Sequence, residues 1–167
     1  MHSFAVHQLS VDDGIEVYEM LQRIGSNEND FTNDAKGLSF EQFKEWLKEK
    51  DSWSKGESLP EGYVRQWIFW LIVDAVPVGY GKIREKITEK SAVWGGNIGY
   101  AIDSTKRGLG YGTILFNGLL NEAKRLGVTQ VLSTVKIDNY ASRRVNEKCG
   151  GVMVKENEEN CYYSFNL

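Results

Sequence analysis

Residues 97–113 read Asn-Ile-Gly-Tyr-Ala-Ile-Asp-Ser-Thr-Lys-Arg-Gly-Leu-Gly-Tyr-Gly-Thr. Gly96 to Asp103 alternates as a half-buried strand requires, with Ile98, Tyr100 and Ile102 on one face. A basic, glycine-rich turn follows, Arg107-x-x-Gly110-x-Gly112. An apolar helix pattern then runs from about Gly110 to Arg125, with Phe116, Leu119, Leu120, Ala123 and Leu126 in register and Gly127 as its stop. Such a turn exposes several backbone N–H groups at a helix N-terminus, which is an anion site. Gly108, Gly110 and Gly112 leave no side chain between backbone and ligand. The stretch predicts that the chain grips a phosphorylated cofactor.

Working outward, Val128 to Lys136 reads as a strand, and Asp138 or Asn139 caps a short helix carrying Ala141, Val145 and Cys149. Gly150-Gly151 ends it, and Val152–Lys155 with Tyr162–Phe165 closes the chain as a hairpin. Upstream, residues 3–9 form a strand, and Asp12 caps a helix to about Ile24 with Ile15, Tyr18 and Leu21 on one face. Gly25 to Lys36 reads as a polar loop. Ser39-Phe40-Glu41-Gln42 is a capping box opening a second helix through Phe40, Phe43 and Leu47. Residues 51–63 read as an exposed connection and Glu85–Ser91 as a solvated one. Trp67–Val73 and Val78–Ile87 are strands about an Asp74–Pro77 turn; Trp67, Phe69 and Trp70 suit a core better than a ligand pocket. The result is a mixed α/β domain over residues 1–167, ordered β-α-α-β-β-β-α-β-α-β-β.

The 167 residues, 41% apolar and 26% charged, suit one globular domain. A net charge of −3 gives no reason to expect nucleic acid or a membrane surface as partner. No apolar run reaches the roughly 20 residues of a membrane span, and Met1-His2-Ser3-Phe4 lacks a signal-peptide pattern. A cytoplasmic location with Cys149 and Cys161 reduced is expected. His2 and His7 are the only histidines, which argues against a histidine metal site or a serine–histidine triad.

The turn lacks Gly-x-x-x-x-Gly-Lys-[Ser/Thr], so it is not a triphosphate loop. It also misses the dinucleotide fingerprint: from Gly108 the last position falls on Thr113, from Gly110 on Leu115, and Asp138 comes too late for the ribose. Arg107-x-x-Gly110-x-Gly112 instead resembles the pyrophosphate-binding signature of the GNAT superfamily of N-acetyltransferases. Asn139-x-x-Ser142 and Glu147-Lys148-Cys149-Gly150-Gly151 resemble the second cofactor motif of that superfamily, and the likeness spans about residues 94–154.

The resemblance implies a mainly antiparallel sheet with a splayed parallel pair, here Gly96–Asp103 and Val128–Lys136, at the cofactor site. It implies acetyl-CoA, or another acyl-CoA, as acyl donor and direct attack by a primary amine of a small molecule or peptide; no metal is expected. The cofactor arm would pair with Ala101 and Ile102. The diphosphate would meet Lys106, Arg107, Gly108, Leu109, Gly110, Tyr111, Gly112 and Thr113. Asn139 and Ser142 would hold the pantetheine region, and Arg143 or Lys106 the ribose phosphate. The tyrosine that commonly reprotonates the thiolate falls here on Asn146, which can donate a hydrogen bond but no acid proton. Tyr162 or Tyr163 could reach the site from the last strand. A water relay past Tyr100 or Asn97 is expected to remove the amine proton. Glu28, Asp30 and Phe31, in the polar loop, are expected to face a cationic acceptor.

Two rival readings remain at this level. Asn146 in the tyrosine position motivates a non-catalytic acyl-CoA sensor. A nucleotide-dependent oxidoreductase is disfavoured by the spacing above. Exposed edge strands suggest a homodimer.

Overall fold

The computed structural model describes residues 1–94 and 96–167; Gly95, within the 94–154 stretch, lies outside them. Strands β1 (Phe4–Gln8), β4 (Gln66–Val73), β5 (Val76–Arg84) and β6 (Ile98–Ile102) form one antiparallel sheet in the order β1-β4-β5-β6. A second antiparallel sheet has the order β7-β9-β8, from β7 (Gln130–Lys136), β8 (Val152–Glu156) and β9 (Asn160–Asn166). Helices α1 (Ile15–Arg23) and α2 (Phe40–Ser54) cover one face of the first sheet. Helix α4 (Tyr111–Arg125) covers the other, burying Leu115, Phe116, Leu119 and Ala123 in a core shared with β7 and β9.

The nearly continuous apolar run of β4 is explained by cover on both faces. Trp67 and Phe69 pack on the α4 side, and Trp70 on the α1–α2 side. β5 splits its residues by size. Gly81 lies under α4, where a Cβ would come within 2.7 Å of Leu119, whereas Tyr80 joins the α1–α2 core. By the same period of two, Lys82 and Arg84 point to the α1–α2 side.

Several expectations are corrected. Asp12 does not cap α1; Gly14 holds the N-cap, and Asp13 accepts instead from Ser10 N and Trp70 Nε1. Ile15 is exposed, and the buried face is Val17, Met20 and Leu21. The Ser39–Gln42 capping box forms, but α2 runs on to Ser54 because Trp53 is buried. The polar loop holds a small hairpin, β2 (Asn27–Glu28) and β3 (Phe31–Thr32), turned by Asn29 and Asp30 at φ 49° and 66°. Asn and Asp tolerate that left-handed region, so a tight turn was available to this polar stretch. A short helix α3 (Glu89–Trp94) follows the charged segment, its start tied by reciprocal bonds between Thr88 and Ser91.

Among the described residues the two sheets are joined at one bridge. An isolated bridge joins Gly96 to Ser133, Asn97 N donates to Leu132 O at 2.7 Å, and Asn97 Oδ1 accepts from Leu132 N at 3.0 Å. Gly96 is required there: its φ is 68°, and a Cβ would lie 2.0 Å from Leu132 O. The bridge is antiparallel in its bonding, and β6 and β7 form no ladder between them. Beyond it both strands run away from the junction along the two walls of one cavity. This is a splayed pair with its apex at Gly96–Asn97.

Candidate active site

The cavity between β6 and β7 has a volume of about 470 Å³, within the range of small-molecule sites. Its floor is β6. Asp103 N donates to Val78 O and Arg84 N to Asn97 O, so Gly99 and Ala101 turn their backbone groups to β5, as Asn97 does with its carbonyl and Asp103 with its N–H. Tyr100 and Ile102 therefore aim theirs into the cavity, and Ile102 O accepts from Arg107 Nε at 3.1 Å. Ala101 lines the cavity, but its N–H and C=O are directed to Tyr80. The open edge belongs to Tyr100 and Ile102.

Asp103 ends the strand and shapes the turn. It is fully buried, and it accepts from Thr105 N and Oγ1 at 2.9 Å and from Arg23 Nε at 2.7 Å. Burial raises its carboxyl, but these donors outweigh burial and leave it below the usual carboxylate range. Lys106 N is committed to Asp103 O and Thr113 N to Gly110 O. Among the described residues nothing accepts from the N–H groups of Gly108, Leu109, Gly110, Tyr111 or Gly112. Gly108 and Gly110 have φ of 79° and 81°, with open space where a Cβ would be. Five unspent amides stand at the start of a 15-residue helix beside Arg107, a geometry that can receive an anion. Leu109 is exposed on its crown, outside the cavity lining.

The opposite wall comes from helix α5 (Tyr140–Lys148). Asn139 is its N-cap and accepts from Ser142 N at 3.2 Å. Asn139 and Ser142 both line the cavity, and Tyr100 Oη donates to Ser142 Oγ at 3.4 Å. Burial holds the Tyr100 hydroxyl above the usual tyrosine range, while the Ser142 bond acts the other way. Gly112 makes room for the Tyr100 ring, 3.2 Å from where a Cβ would stand.

Five predicted site residues, besides Leu109, behave differently. Asn146 is buried away from the cavity, its Nδ2 donating to Ser142 O at 2.9 Å and its Oδ1 unpartnered among the described residues. Arg143 turns to Ile137 O and Glu156 and does not line the cavity. Asn97 lies outside the lining too and pins the apex, as its bonds to Arg84 O and Leu132 N show. Tyr163 bonds Glu147 and Tyr162 pairs with Asn157, so neither enters the cavity. Apart from Asn97, which its apex bonds hold, the physical reason is common: helix α5 presents one stripe to the cavity (Ala141, Ser142, Val145), and these side chains lie off it or on the second sheet.

The β2–β3 hairpin roofs the cleft with Glu28, Asp30 and Phe31. Both carboxylates are already engaged: Glu28 pairs with Arg107, and Asp30 with Lys136 Nζ at 2.9 Å. Phe31 packs over Gly99, where a Cβ would sit 3.2 Å from its ring. Sequence reasoning missed Lys82, Arg84 and Lys136, which all line the cavity. A signal existed: Val-Gly-Tyr-Gly-Lys-Ile-Arg, residues 78–84, sets cations at alternate positions of an otherwise apolar and glycine-rich strand. Among the described residues no group of three or more potential metal-ligating side chains occurs.

The profile of the acetyltransferase (GNAT) domain family matches residues 8–152. No curated protein sequence matches the chain. Among solved structures, the fold is similar to RimL, a ribosomal L7/L12 α-N-protein acetyltransferase in complex with coenzyme A. That match has a TM-score of 0.70 and 12% identity, and covers 99% of this chain and 94% of RimL. The microcin C7 self-immunity acetyltransferase MccE, in complex with acetyl-CoA and AMP, matches with TM-score 0.68 and 14% identity over 98% and 92% of the two chains. The ribosomal-protein-S5-alanine acetyltransferase from Vibrio fischeri matches with TM-score 0.66 and 17% identity over 98% and 92%.

Proposed function

We infer the function of this chain from one premise: it belongs to the GNAT family of acetyltransferases. It is an N-acetyltransferase that uses acetyl-CoA and acetylates a primary amine. The observation that carries the site assignment is the anion cradle, Gly108 to Gly112 with Arg107, at the end of the open-edged strand β6.

Bound acetyl-CoA supplies an activated thioester. The residues present fit it: five free amides and a guanidinium suit a diphosphate, and the open edge at Tyr100 and Ile102 suits an amide-bearing arm. Asn139 and Ser142 hold the arm from the α5 side. The Tyr100 amide, the nearer of the two to the apex, is the donor for charge developing on the carbonyl oxygen. The Tyr100–Ser142 hydroxyl pair, against Gly112 on one side and α5 on the other, is the proton-carrying pair that lines the cleft. The acceptor enters under the hairpin against Phe31. An alkyl amine of pKa ~10.4 is about 10³-fold protonated at pH 7, so losing that proton costs about 4–5 kcal/mol, which desolvation under the hairpin helps to meet.

The sensor reading rested on Asn146. That residue lies outside the cavity, while two hydroxyls line it, and this supports turnover rather than passive binding. We place the enzyme in the cytoplasm. We also propose a homodimer through β8, an edge strand on which Val152, Met153 and Val154 are exposed. The test is calorimetry with acetyl-CoA, then release of CoA thiol across an amine panel. Binding at micromolar concentration with turnover on some amine is expected; tight binding with no turnover on any amine refutes the enzyme reading.

A further inference from the structure

Four cations line the cleft besides Lys106, and they fall into two classes. Arg107 and Lys136 each hold a hairpin carboxylate. Lys82 and Arg84 hold none among the described residues. Lys82 is 7% exposed, and its Nζ donates only to Thr32 O. Arg84 NH1 donates to Gly96 O at 3.1 Å. The groups facing Lys82 are Tyr80 and Arg84 on its own strand, Phe31 and Thr32 on β3, and Asp34 and Lys50 beyond them. Asp34, the one carboxylate among these, is committed to Lys50 at 2.8 Å and to Trp46 Nε1 at 3.0 Å.

Position makes this pair specific. Lys82 and Arg84 are two residues apart on β5, so they share a face about 7 Å apart. Lys82 stands opposite Gly99 in register, under the Phe31 ring. The anion cradle begins beyond Asp103, four residues and about 13 Å further along β6. An arm lying along that strand from the cradle brings its reactive end to the apex, where Lys82 and Arg84 stand. Keeping an unpaired cation out of water is costly, and the cost is recovered when an anion meets it. Arg84 adds a planar fork of donors that suits a carboxylate.

We propose that the acceptor of this enzyme bears a carboxylate a few bonds from its amine, and that Lys82 and Arg84 bind that carboxylate. The proposal rests on the acetyltransferase reading and narrows its substrate class. Burial pushes the Lys82 ammonium down to about 7, and an anion beside it favours the charged form.

The experiment compares matched acceptors: an amino acid with its carboxamide, and a peptide amide starting with Asp with one starting with Asn. The first pair tests an α-carboxylate and the second a side-chain carboxylate. At least one acid is expected to have a KM about tenfold or more below its neutral partner, the low end for one charge-assisted bond. The less basic amine of the amino-acid carboxamide favours that neutral partner chemically, so such a preference cannot come from amine reactivity. Lys82→Met and Arg84→Gln should each raise KM for the acid about tenfold, leaving kcat and the neutral partner's KM little changed. Lys82→Arg should restore it. Equal KM within both pairs, or a Lys82→Arg enzyme as impaired as Lys82→Met, overturns the proposal. If Lys82→Met does not fold, Arg84→Gln and the wild-type comparison still decide. Acetyl-CoA calorimetry runs in parallel: retained binding without carboxylate preference refutes this proposal alone, whereas lost binding refutes the acetyltransferase site.

Discussion

Glu28→Gln should tighten acetyl-CoA binding. Glu28 pairs with Arg107, so the guanidinium must leave that carboxylate, or share it, to reach a diphosphate. The pair is partly exposed, 49% on Arg107 and 30% on Glu28, so it is worth about 0.2–1 kcal/mol rather than a buried-pair energy. Removing the charge returns that amount to binding, and it also removes a like charge from the phosphate's neighbourhood. The expected gain is about 2- to 5-fold in Kd. Glutamine is the right replacement because Glu28 Oε1 also accepts from Gly25 N at 2.8 Å, and an amide oxygen can keep that bond. The hairpin should therefore stay closed. Arg107→Ala is the counterpart, with an expected loss of about 1.5–3 kcal/mol, or 10- to 150-fold. Calorimetry at two salt concentrations reads both, and the difference between wild type and Glu28→Gln should shrink at high salt. Weaker binding by Glu28→Gln, with an unchanged melting temperature, would refute the competition and make Glu28 a supporting element of the site.

Gly96→Ala must push the sheets apart, since its Cβ would meet Leu132 O at 2.0 Å; a loss of about 3 kcal/mol or more by urea unfolding is expected. Tyr100→Phe should lower kcat with little change in acetyl-CoA Kd, and unchanged kcat/KM across pH would remove Tyr100 from proton transfer. Asp103→Ala should cost about 2–4 kcal/mol through the lost cap and the lost Arg23 bond. Because its folded pKa lies below the unfolded ~3.9, the wild-type contribution is complete above that value and lost as pH falls below it, so the two proteins should converge in acid. Lys82 has the opposite linkage. Its folded value of about 7 lies below the unfolded ~10.4, so wild type should gain stability relative to Lys82→Met as pH rises between those values; a flat difference in melting temperature would refute it.

What was legible in the sequence was local. The Ser39–Gln42 capping box, the Gly110-to-Gly127 helix and the Asn139 cap each rest on residues within one turn of each other, and each forms. The glycine turn was legible for the same reason, because its free amides follow from its own dihedrals. Positions off the helix stripe were not. Asn146 and Arg143 share a short helix with Ser142, yet only Ser142 faces the cavity, and that rotation is set by packing against α4 and β7. Asp12 lost the α1 cap to a tertiary bond: Trp70 draws Asp13 inward from 57 residues away. The two-residue strands β2 and β3 carry too few residues to show a period, and their identity comes from ion pairs across the cleft.

Those ion pairs carry a consequence for the order of events. Glu28 ties the hairpin to the donor cradle, and Asp30 ties it to β7, so one short element spans both walls of the cleft. Phe31, between them, packs on Gly99 and stands against Tyr80 at 5.0 Å between ring centroids. An anion arriving at Arg107 competes with Glu28 and loosens one of the two ties, while Asp30–Lys136 still anchors the other end. The expected response is that the hairpin pivots at Phe31 rather than detaching, so that the space against Lys82 and Arg84 changes with it. Donor binding should therefore lower acceptor KM or Kd through the hairpin. Linkage requires the acceptor to tighten the donor by the same factor. Asp30→Asn, which frees the second tie, should reduce that mutual factor while leaving the cradle intact. Equal coupling in wild type and Asp30→Asn, measured as acetyl-CoA Kd with and without saturating acceptor, would show that the hairpin does not link the two halves of the site.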